Sequence, residues 1–533
     1  TALMAALAGQ AFFTPRRARV TGRIVGGNAG LGHRVRDGRL PAAAGRDRER
    51  TRVAIVGGGI AGLAAAWQLR RRGIEDFLVL ELEDSPGGNS RSGRNAVSDY
   101  PWAAHYVPVP GPDASEVRDL FAELGILIGA DAQGRPVYRE DHLCHDPQER
   151  LFLHGRWQEG LMPVLGMGAG ERAEGERFSA RLAGFREGRG PEGRPWFTLP
   201  LERCSPDPAV RELDRLSFAA WLDREGFRAE GLRWYCDYCC RDDFGLPAAA
   251  VSAWAGVHYF AARHGEASNA GPGAVVTWPA GNGWLVERLS RPLGPRLRSG
   301  CAASRLEPGR DRVAVEYFHA ASATTRCLEA EQVILTVPGF VARRLLPAGA
   351  GQVHDDGIPP VYAPWVVANL TVEGLPPGRG AAPAWDNVIH GARSLGYINA
   401  SHQSLHPASR ATVLTWYQPL DDHPPAESRR LALARRWDEW RDLVFDDLAP
   451  AHPDLADRTQ TLDVMVWGHG MVAPVPGYVW DGRRRGADRP APRVHRAHSD
   501  LSGLSLFEEA WTRGVRAGDA VAGELSGGPA GSA

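Results

Sequence analysis

The sequence predicts an α/β protein in which a discontinuous, parallel-sheet domain is interleaved with an α+β domain. A short β-branched run at residues 53–56 is followed by a glycine-rich turn and a helical segment. Similar buried-strand patterns recur at residues 77–80 and 332–338. The chain of 533 residues is also too long for one compact core, which favours two lobes.

The first predicted unit is a strand, a turn and a helix of the Rossmann type. Gly57 permits the tight turn, Gly59 lets the backbone approach a pyrophosphate, and Gly62 lets the helix pack closely on the strand. Ile60 and Ala61 begin the helix, where free N–H groups and the positive end of the helix dipole favour phosphate. This unit therefore predicts a nucleotide site.

An acid and a second pair of glycines narrow the choice of nucleotide. The strand at residues 77–80 ends at Glu81, where the motif places a ribose-binding carboxylate. Gly87 and Gly88 follow, and they let the chain pass close under a longer cofactor. NAD-dependent dehydrogenases do not usually need that second feature, so the sequence favours FAD over NAD.

Residues 53–94 resemble the flavin-containing amine oxidase superfamily, which includes polyamine oxidases and phytoene-desaturase-like enzymes. Members carry this strand–turn–helix unit, an acid and then a Gly-Gly-Arg segment. Here Asn89 occupies the usual arginine position, while Arg91 and Arg94 lie nearby. The resemblance implies an FAD-dependent oxidoreductase whose cofactor contacts include Asn89 and Arg91.

Later segments extend the resemblance along the chain. Residues 100–106 are similar to the segment that runs beside the flavin, and residues 278–286 are similar to a turn near it. Ala303 lies in a predicted hairpin that borders adenine in relatives. Residues 332–338 resemble the strand that returns to the cofactor domain, with Pro338 ending it. These segments imply a cofactor domain assembled from separate stretches.

The last block resembles the C-terminal cofactor segment of the same superfamily. Asp500 stands where a glutamate usually contacts the ribityl and pyrophosphate region. Phe507 and Ala510 lie at the start of a predicted helix that faces the flavin pyrimidine in relatives. The N-terminus of a helix in that place would stabilise negative charge on a reduced flavin.

These segments predict that two domains alternate along the chain, between an irregular beginning and a disordered end. The FAD-binding domain is expected to comprise residues 51–150, 275–345 and 486–525. The substrate domain is expected to comprise a mainly helical stretch at residues 151–274 and a mixed sheet at residues 346–485. Residues 1–50 are expected to be an export-signal remnant or irregular lead-in, and residues 526–533 a disordered tail.

Composition limits the partners. The formal net charge of −1 argues against nucleic acid or an acidic membrane surface. Seven scattered cysteines do not indicate a disulfide framework, and the Cys236–Cys240 group is interpreted as packed thiols on a helix. No spacing indicates a metal site, and no run is long and apolar enough for a transmembrane helix. We expect a small-molecule substrate, with oxygen or another electron acceptor.

The expected location depends on the first residues. Residues 1–13 are apolar but too short to span a bilayer, and they are interpreted as the remnant of an export signal. A twin-arginine-type route would suit a folded protein with a bound cofactor. Periplasmic export is therefore expected, with a cytoplasmic location as the alternative.

Two departures from the amine-oxidising pattern leave the chemistry open. The sequence contains no lysine, whereas many such relatives place one near the flavin to assist reoxidation by oxygen. Leu506 stands where a tyrosine commonly forms part of an aromatic cage. Hydride transfer from an amine-like substrate is the main hypothesis. The alternatives are a dehydrogenase or desaturase acting on an apolar substrate, and a binding module with a structural FAD.

Aromatic and polar residues in the second lobe supply the candidates for contact with substrate. Trp467 and His469 lie in a Trp-Gly-His-Gly sequence that we place at a strand end. Tyr397, Trp416 and Tyr417 lie in predicted strands of the mixed sheet.

Overall fold

The computed structural model describes residues 16–41, 48–347, 358–404, 410–482 and 488–527. The apolar segment interpreted as an export-signal remnant lies outside the described residues, and so does the expected tail beyond residue 527. Among the residues described, no helix has both the length and the apolar character needed to cross a membrane. The described residues also hold no cluster of side chains suited to a metal ion.

Helices are spread along the whole described chain. In order they are α1 (Ala29–Arg36), α2 (Ile60–Arg71), α3 (Ser115–Glu123), α4 (Ala169–Glu187), α5 (Pro208–Arg211), α6 (Phe218–Arg224), α7 (Glu230–Phe244), α8 (Ala253–Ala261), α9 (Gly283–Ser290), α10 (Gly339–Leu345), α11 (Pro425–Ala434), α12 (Trp437–Leu448), α13 (Leu455–Arg458) and α14 (Phe507–Leu525).

Strands alternate with these helices. In order they are β1 (Ile24–Val25), β2 (Arg48–Val56), β3 (Phe77–Leu80), β4 (Ser92–Arg94), β5 (Asp99–Pro101), β6 (Tyr106–Pro108), β7 (Leu127–Ala130), β8 (Pro136–Tyr138), β9 (Glu149–Leu153), β10 (Arg156–Glu159), β11 (Val275–Thr277), β12 (Leu297–Arg298), β13 (Cys301–Pro308), β14 (Val313–His319), β15 (Thr324–Leu335), β16 (Val361–Glu373), β17 (Asp386–Ile389), β18 (Tyr397–Asn399), β19 (Ala411–Pro419), β20 (Thr459–Ala473) and β21 (Val494–Arg496).

A seven-stranded sheet, as far as the described chain shows it, forms the first lobe. Its order is β12-β3-β2-β15-β14-β13, with β21 paired to the end of β15. Strands β12, β3, β2, β15 and β21 run parallel, whereas β14 and β13 are antiparallel. The parallel strands therefore end at one common edge, although they come from three distant stretches of sequence.

Helices α2 and α14 cross at close range beside this sheet. A Cβ atom on Gly514 would lie 2.2 Å from the carbonyl oxygen of Ala61, and one on Gly518 would lie 2.9 Å from Cβ of Gln68. The absence of side chains at both glycines lets the two backbones touch. Helix α2, which follows the first strand of this sheet, is thus packed against α14, the last helix described.

The second lobe contains an eight-stranded sheet within the described residues, with the order β1-β20-β16-β19-β18-β17-β9-β10. The long strands β20, β16 and β19 are antiparallel neighbours at its centre. One face packs against helices that include α7 and α8, and the other face packs against α12. Residues alternate between these two cores because successive side chains of a strand point to opposite faces.

The predicted fold class is confirmed, but several elements differ from the prediction. The expected lead-in contains β1, which pairs with β20, and α1, which contacts β13. The segment 151–274, which was expected to be mainly helical, begins with most of β9 and all of β10, and both strands join the eight-stranded sheet. Short alternating runs such as these are hard to recognise without knowledge of their sheet partners. The domain boundaries themselves stay predictions.

The predicted place of His469 at a strand end is corrected by the structure. Strand β20 continues to Ala473, so His469 lies inside a strand instead of at its end. Gly470 fits there because a Cβ atom would lie 2.8 Å from Cδ1 of Trp365.

Candidate functional site

A cleft of about 1560 Å³ opens at the edge where the parallel strands end; we call it the sheet-edge cleft. The structure brings nearly all predicted cofactor residues to its wall: Gly57, Gly59, Ile60, Ala61, Glu81, Gly87, Gly88, Asn89, Arg91, Ala303, Asp500, Phe507 and Ala510. These residues come from all three stretches that build the seven-stranded sheet. Their convergence is the main structural feature of the first lobe.

Gly62 is the predicted cofactor residue that does not line the cleft. A Cβ atom there would lie 1.9 Å from the carbonyl oxygen of Gly57 and 2.9 Å from Oγ1 of Thr336. Gly57 itself has a φ of +110°, a conformation that favours glycine. The hydroxyl of Thr336 donates to the Gly57 carbonyl at 2.7 Å, which ties the turn to the end of β15. Gly62 thus serves close packing, as its place in the motif predicts.

Gly59 and Gly88 face each other across open space. A Cβ atom on Gly59 would meet no atom closer than Cα of Gly88, at 4.0 Å. Both Gly87 and Gly88 have positive φ values, 120° and 54°. The amide of Gly87 donates to the carbonyl of Gly58 at 2.8 Å, which holds the two glycine segments side by side. Side chains at these positions would fill the gap that the glycines leave.

Glu81 is held at the end of β3 by backbone groups. Its carboxylate accepts hydrogen bonds from the amide of Gly58 at 2.6 Å and from the amide of Glu83 at 2.9 Å. Burial raises the pKa of the Glu81 carboxyl, while these two donors lower it. The side chain is therefore fixed against the glycine turn.

Asn89 and Arg91 follow Gly87 and Gly88 in the chain and line the same cleft. The Arg91 side chain is 6% exposed, lies 5.1 Å from the ring centroid of Trp467 and forms an ion pair of 3.4 Å with Glu83. Its Nε has no hydrogen-bond partner among the described residues. Nδ2 of Asn89 donates to the carbonyl of Gly470 at 2.5 Å, which joins the two lobes.

Asp500 is a buried acid that also lines the sheet-edge cleft. Burial alone would raise the pKa of its carboxyl, but His498 and hydrogen bonds from the amide of Gly339 and the hydroxyl of Tyr362 lower this pKa to about 2. Oδ1 lies 3.0 Å from Nδ1 of His498. The carboxylate thus stays ionised and links β21, α10 and β16.

An inner cavity of about 960 Å³ adjoins the sheet-edge cleft. Residues that line both spaces are Asn89, Ala104, Tyr106, Trp467, Gly470, Leu506 and Phe507. Leu506 and Phe507 are the N-cap and first residue of α14, so the N-terminus of this helix lies at the junction. Glu508 follows and lines the inner cavity.

Buried acids distinguish this inner cavity. Burial raises the pKa of the Asp242 carboxyl to about 7 and that of the Glu508 carboxyl to about 7. Asp243 is different because Nη2 of Arg263 donates to both of its oxygens, at 2.7 and 2.9 Å. Neither Asp242 nor Glu508 forms an ion pair within the stretches of chain that the structure describes.

An outer cavity of about 2060 Å³ shares Tyr106, Asp242, Tyr259 and Tyr417 with the inner one. It adds three acids, Glu149, Glu266 and Asp386. Burial raises the pKa of the Glu149 and Asp386 carboxyls, and the nearby charges of Asp242 and Glu149 raise that of Asp386 further. The three spaces therefore form one continuous series in which acids follow the wall from the outer to the inner cavity.

Two of the five residues proposed to face the substrate are placed elsewhere. Trp416 is fully buried and donates from Nε1 to Asp447 at 2.9 Å, while the hydroxyl of Tyr397 lies 2.8 Å from Nε2 of His452. Both pack on the α12 side of the sheet. The prediction for Trp416 and Tyr397 is therefore wrong, because alternation along β19 places the neighbouring Tyr417 on the cavity side.

Like Tyr417, the candidates Trp467 and His469 line the open spaces. Trp467 borders both the sheet-edge cleft and the inner cavity, and its Nε1 donates to the carbonyl of Trp102 at 2.8 Å. His469 lines the sheet-edge cleft and not the inner cavity. Its ring lies 4.5 Å from that of Phe340, and burial lowers the pKa of its imidazole to about 4. The roles of both residues stay predictions.

The sequence interpretation missed the acids of the inner cavity. Asp242 and Asp243 occupy the last turn of α7, where negative charge opposes the helix dipole. Two adjacent acids in that position are a signal that could have been used. Glu508 and Glu509 lie in the first turn of α14, where negative charge favours a helix N-terminus, and that pattern gives no indication that one of the two lines a cavity.

This site and fold define a class: a protein with a Rossmann-type nucleotide domain joined to a second sheet-containing lobe. The profile of NAD(P)-binding Rossmann-like domains matches residues 55–124. A solved structure of a putrescine oxidase variant has the same fold, with a TM-score of 0.65 and 17% identity over 90% of this chain and all of that chain. The expected resemblance to flavin-containing amine oxidases is confirmed at the level of the fold.

Curated relatives match short stretches of this chain. A Baeyer–Villiger monooxygenase of Streptomyces coelicolor is 48% identical over 60 residues, which is 11% of each chain. A protein of Mycobacterium tuberculosis named as a flavin-containing monoamine oxidase is 43% identical over 74 residues, which is 14% of this chain and 15% of that one. The matched segment thus covers about a tenth to a seventh of these relatives.

Proposed function

We propose that this protein is an FAD-dependent oxidoreductase that removes a hydride from a small organic amine. The observation that carries the proposal is the junction of two spaces. The sheet-edge cleft ends where the inner cavity begins, at Asn89, Trp467 and Phe507. A dinucleotide along the cleft would bring its far end to the cavity wall.

The residues at the cleft fit FAD. The open gap between Gly59 and Gly88 suits a pyrophosphate beside the first turn of α2, whose amides have no side chain in front of them. Glu81 lies where a ribose would be bound, and the unpartnered Nε of Arg91 supplies a buried donor. The N-terminus of α14 would favour negative charge on the ring system. When bound, the flavin supplies the two-electron acceptor.

The acids of the two cavities support a cationic substrate. Asp242, Asp386 and Glu149 line the route to the inner cavity, and none of them forms an ion pair in the described chain. A charged amine entering this route would be attracted by these carboxylates and would lower their pKa values. Tyr106, Tyr259 and Tyr417 add aromatic faces suited to a cation.

A dehydrogenase or desaturase acting on an apolar substrate is the second candidate. It is favoured by the lack of lysine and by Leu506, which lines the inner cavity where amine-oxidising relatives have a tyrosine. Leu199, Val367 and Met471 make further stretches of the same wall apolar. Electron transfer to an acceptor other than oxygen would suit this chemistry.

An absorption spectrum of the purified protein, followed by an anaerobic bleaching screen, tests both candidates. We expect flavin absorbance that benzylamine, putrescine or a related amine removes. Bleaching by an apolar polyene and by no amine would support the second candidate. A colourless protein that also fails to take up added FAD would refute the proposed function.

A further inference from the structure

Glu508, the second residue of α14, has no role in the proposed function as described above. Glu508 is 2% exposed and lines the inner cavity directly beside Leu506 and Phe507, the two residues shared with the sheet-edge cleft. Its Oε1 has no hydrogen-bond partner among the described residues. A buried acid on the wall of the space next to the cofactor position, with an oxygen that lacks a hydrogen-bond partner in the described chain, is placed to exchange a proton with a bound ligand.

We propose that Glu508 is the proton acceptor that converts a bound ammonium into a neutral amine before its C–H bond is broken. In this step an N–H bond of the substrate breaks and an O–H bond forms on the Glu508 carboxylate. The electron pair of the N–H bond stays on nitrogen as its lone pair. An ammonium has no free pair to support departure of a hydride from the adjacent carbon, so the proton must leave first.

The groups around Glu508 make it suitable for this step. Burial raises the pKa of its carboxyl to about 7, and its own backbone amide lowers it. Arg263 lowers this pKa as well, whereas Asp243 and Glu509 raise it. Asp242, His258, Tyr106 and Tyr259 face the same cavity. A carboxylate with a pKa near neutrality accepts a proton better than an ordinary surface acid does.

Glu509 provides a matched control on the same helix. It is 1% exposed, and burial also raises the pKa of its carboxyl. However, its Oε1 accepts a hydrogen bond from the amide of Leu201, and it lines neither the inner cavity nor the sheet-edge cleft. Replacing Glu509 by glutamine therefore changes a buried acid without changing the cavity wall.

The test is infrared difference spectroscopy on the oxidised, flavin-loaded enzyme at about pH 8. The probe is α,α-dimethylbenzylamine, a primary amine without an α-hydrogen, which can give up a proton but no hydride. We expect its binding to create the carbonyl band of a protonated carboxylic acid in wild type and in Glu509→Gln, and no such band in Glu508→Gln. Benzyltrimethylammonium, which has no N–H bond, should bind without producing the band.

The outcomes separate this proposal from the proposed function on which it rests. A band that persists in Glu508→Gln, or binding of the primary amine to wild type without a band, would overturn the role of Glu508 and leave amine oxidation standing. Failure of both amines to perturb the flavin absorbance of wild type would overturn the amine substrate and this proposal together.

Kinetics provide a second measurement. We expect Glu508→Gln to lower kcat/KM by about 10²–10⁴-fold and to remove the acidic limb of its pH profile near neutrality. Glu509→Gln should retain that limb. If Glu508→Gln does not load flavin, Glu508→Asp keeps a carboxylate at the site, and its acidic limb should move instead of disappearing. An unchanged limb in Glu508→Asp and in any loaded Glu508→Gln would contradict the assignment.

Discussion

Substitution of Gly59 by valine tests where the cofactor binds, because the change should leave the fold intact. Gly59 has φ −74° and ψ −176°, a conformation that any residue adopts. A Cβ atom there would meet only Cα of Gly88, at 4.0 Å, so the folded chain leaves room for the Cβ atom of valine. The side chain would, however, stand in the gap in front of the first amides of α2.

The expected loss follows from the hydrogen bonds that this gap allows. If valine removes two amide–phosphate hydrogen bonds, each contributing about 1.5–3 kcal/mol, affinity for FAD falls by about two to four orders of magnitude. The free energy of unfolding of the cofactor-free protein should change by only about 1 kcal/mol, the typical cost of altering an N-cap residue. Flavin fluorescence titration measures the first quantity, and thermal unfolding of the cofactor-free protein measures the second.

Gly62→Ala is the matched comparison. Its Cβ atom would lie 1.9 Å from the backbone oxygen of Gly57, so the turn itself must move. Overpacking of this kind costs about 1–3 kcal/mol or more, and we expect stability and affinity to fall together. Stoichiometric FAD in purified Gly59→Val would refute the placement of the cofactor. An unchanged free energy of unfolding in Gly62→Ala would refute the packing argument.

Two further predictions concern residues on opposite sides of the second sheet and the buried acid of the cleft. Trp416→Phe should lower stability by about 1–3 kcal/mol, because Asp447 loses a hydrogen bond, and should leave KM unchanged. Tyr417→Phe should change KM, because Tyr417 lines the inner cavity. A changed KM in Trp416→Phe together with an unchanged KM in Tyr417→Phe would contradict the side assignment. Asp500→Asn should cost about 2 kcal/mol near pH 6, because the folded-state pKa of about 2 lies below the unfolded value of about 3.9. That contribution is present above about pH 4 and is lost as the pH falls through about 2, so urea unfolding curves of wild type and variant should converge in acid.

The first lobe could be predicted in detail because its signals are local. A β-branched run, a glycine turn and a helix follow one another in sequence, and each has a fixed geometric purpose. Glu81 and Gly88 were placed by their distance from that turn, and the structure brings both to the same cleft. The C-terminal residues Asp500 and Phe507 were placed by resemblance alone, since no local pattern indicates that they lie near residue 59.

The second lobe was less predictable because its decisive information is not local. Neighbouring residues of a strand point to opposite faces of the sheet, so an error of one residue exchanges the cavity side for the core side. Tyr417 and Trp416 differ in this way. The position of His469 depended on where β20 ends, which its pairing with β16 determines. The acids Asp242 and Glu508 acquire their character from burial against other elements, and no single segment of sequence contains that information.

The crossing of α2 and α14 has a consequence for biosynthesis. Helix α2 leaves the ribosome early, but the glycine-lined face that packs on it belongs to α14, which is made last among the described elements. At about 5–20 residues per second, the apolar surface of α2 waits roughly 20–90 s for its partner. The nascent chain must therefore be kept from aggregating until α14 has been translated. Uptake of a cofactor at this edge would then report that synthesis has passed α14.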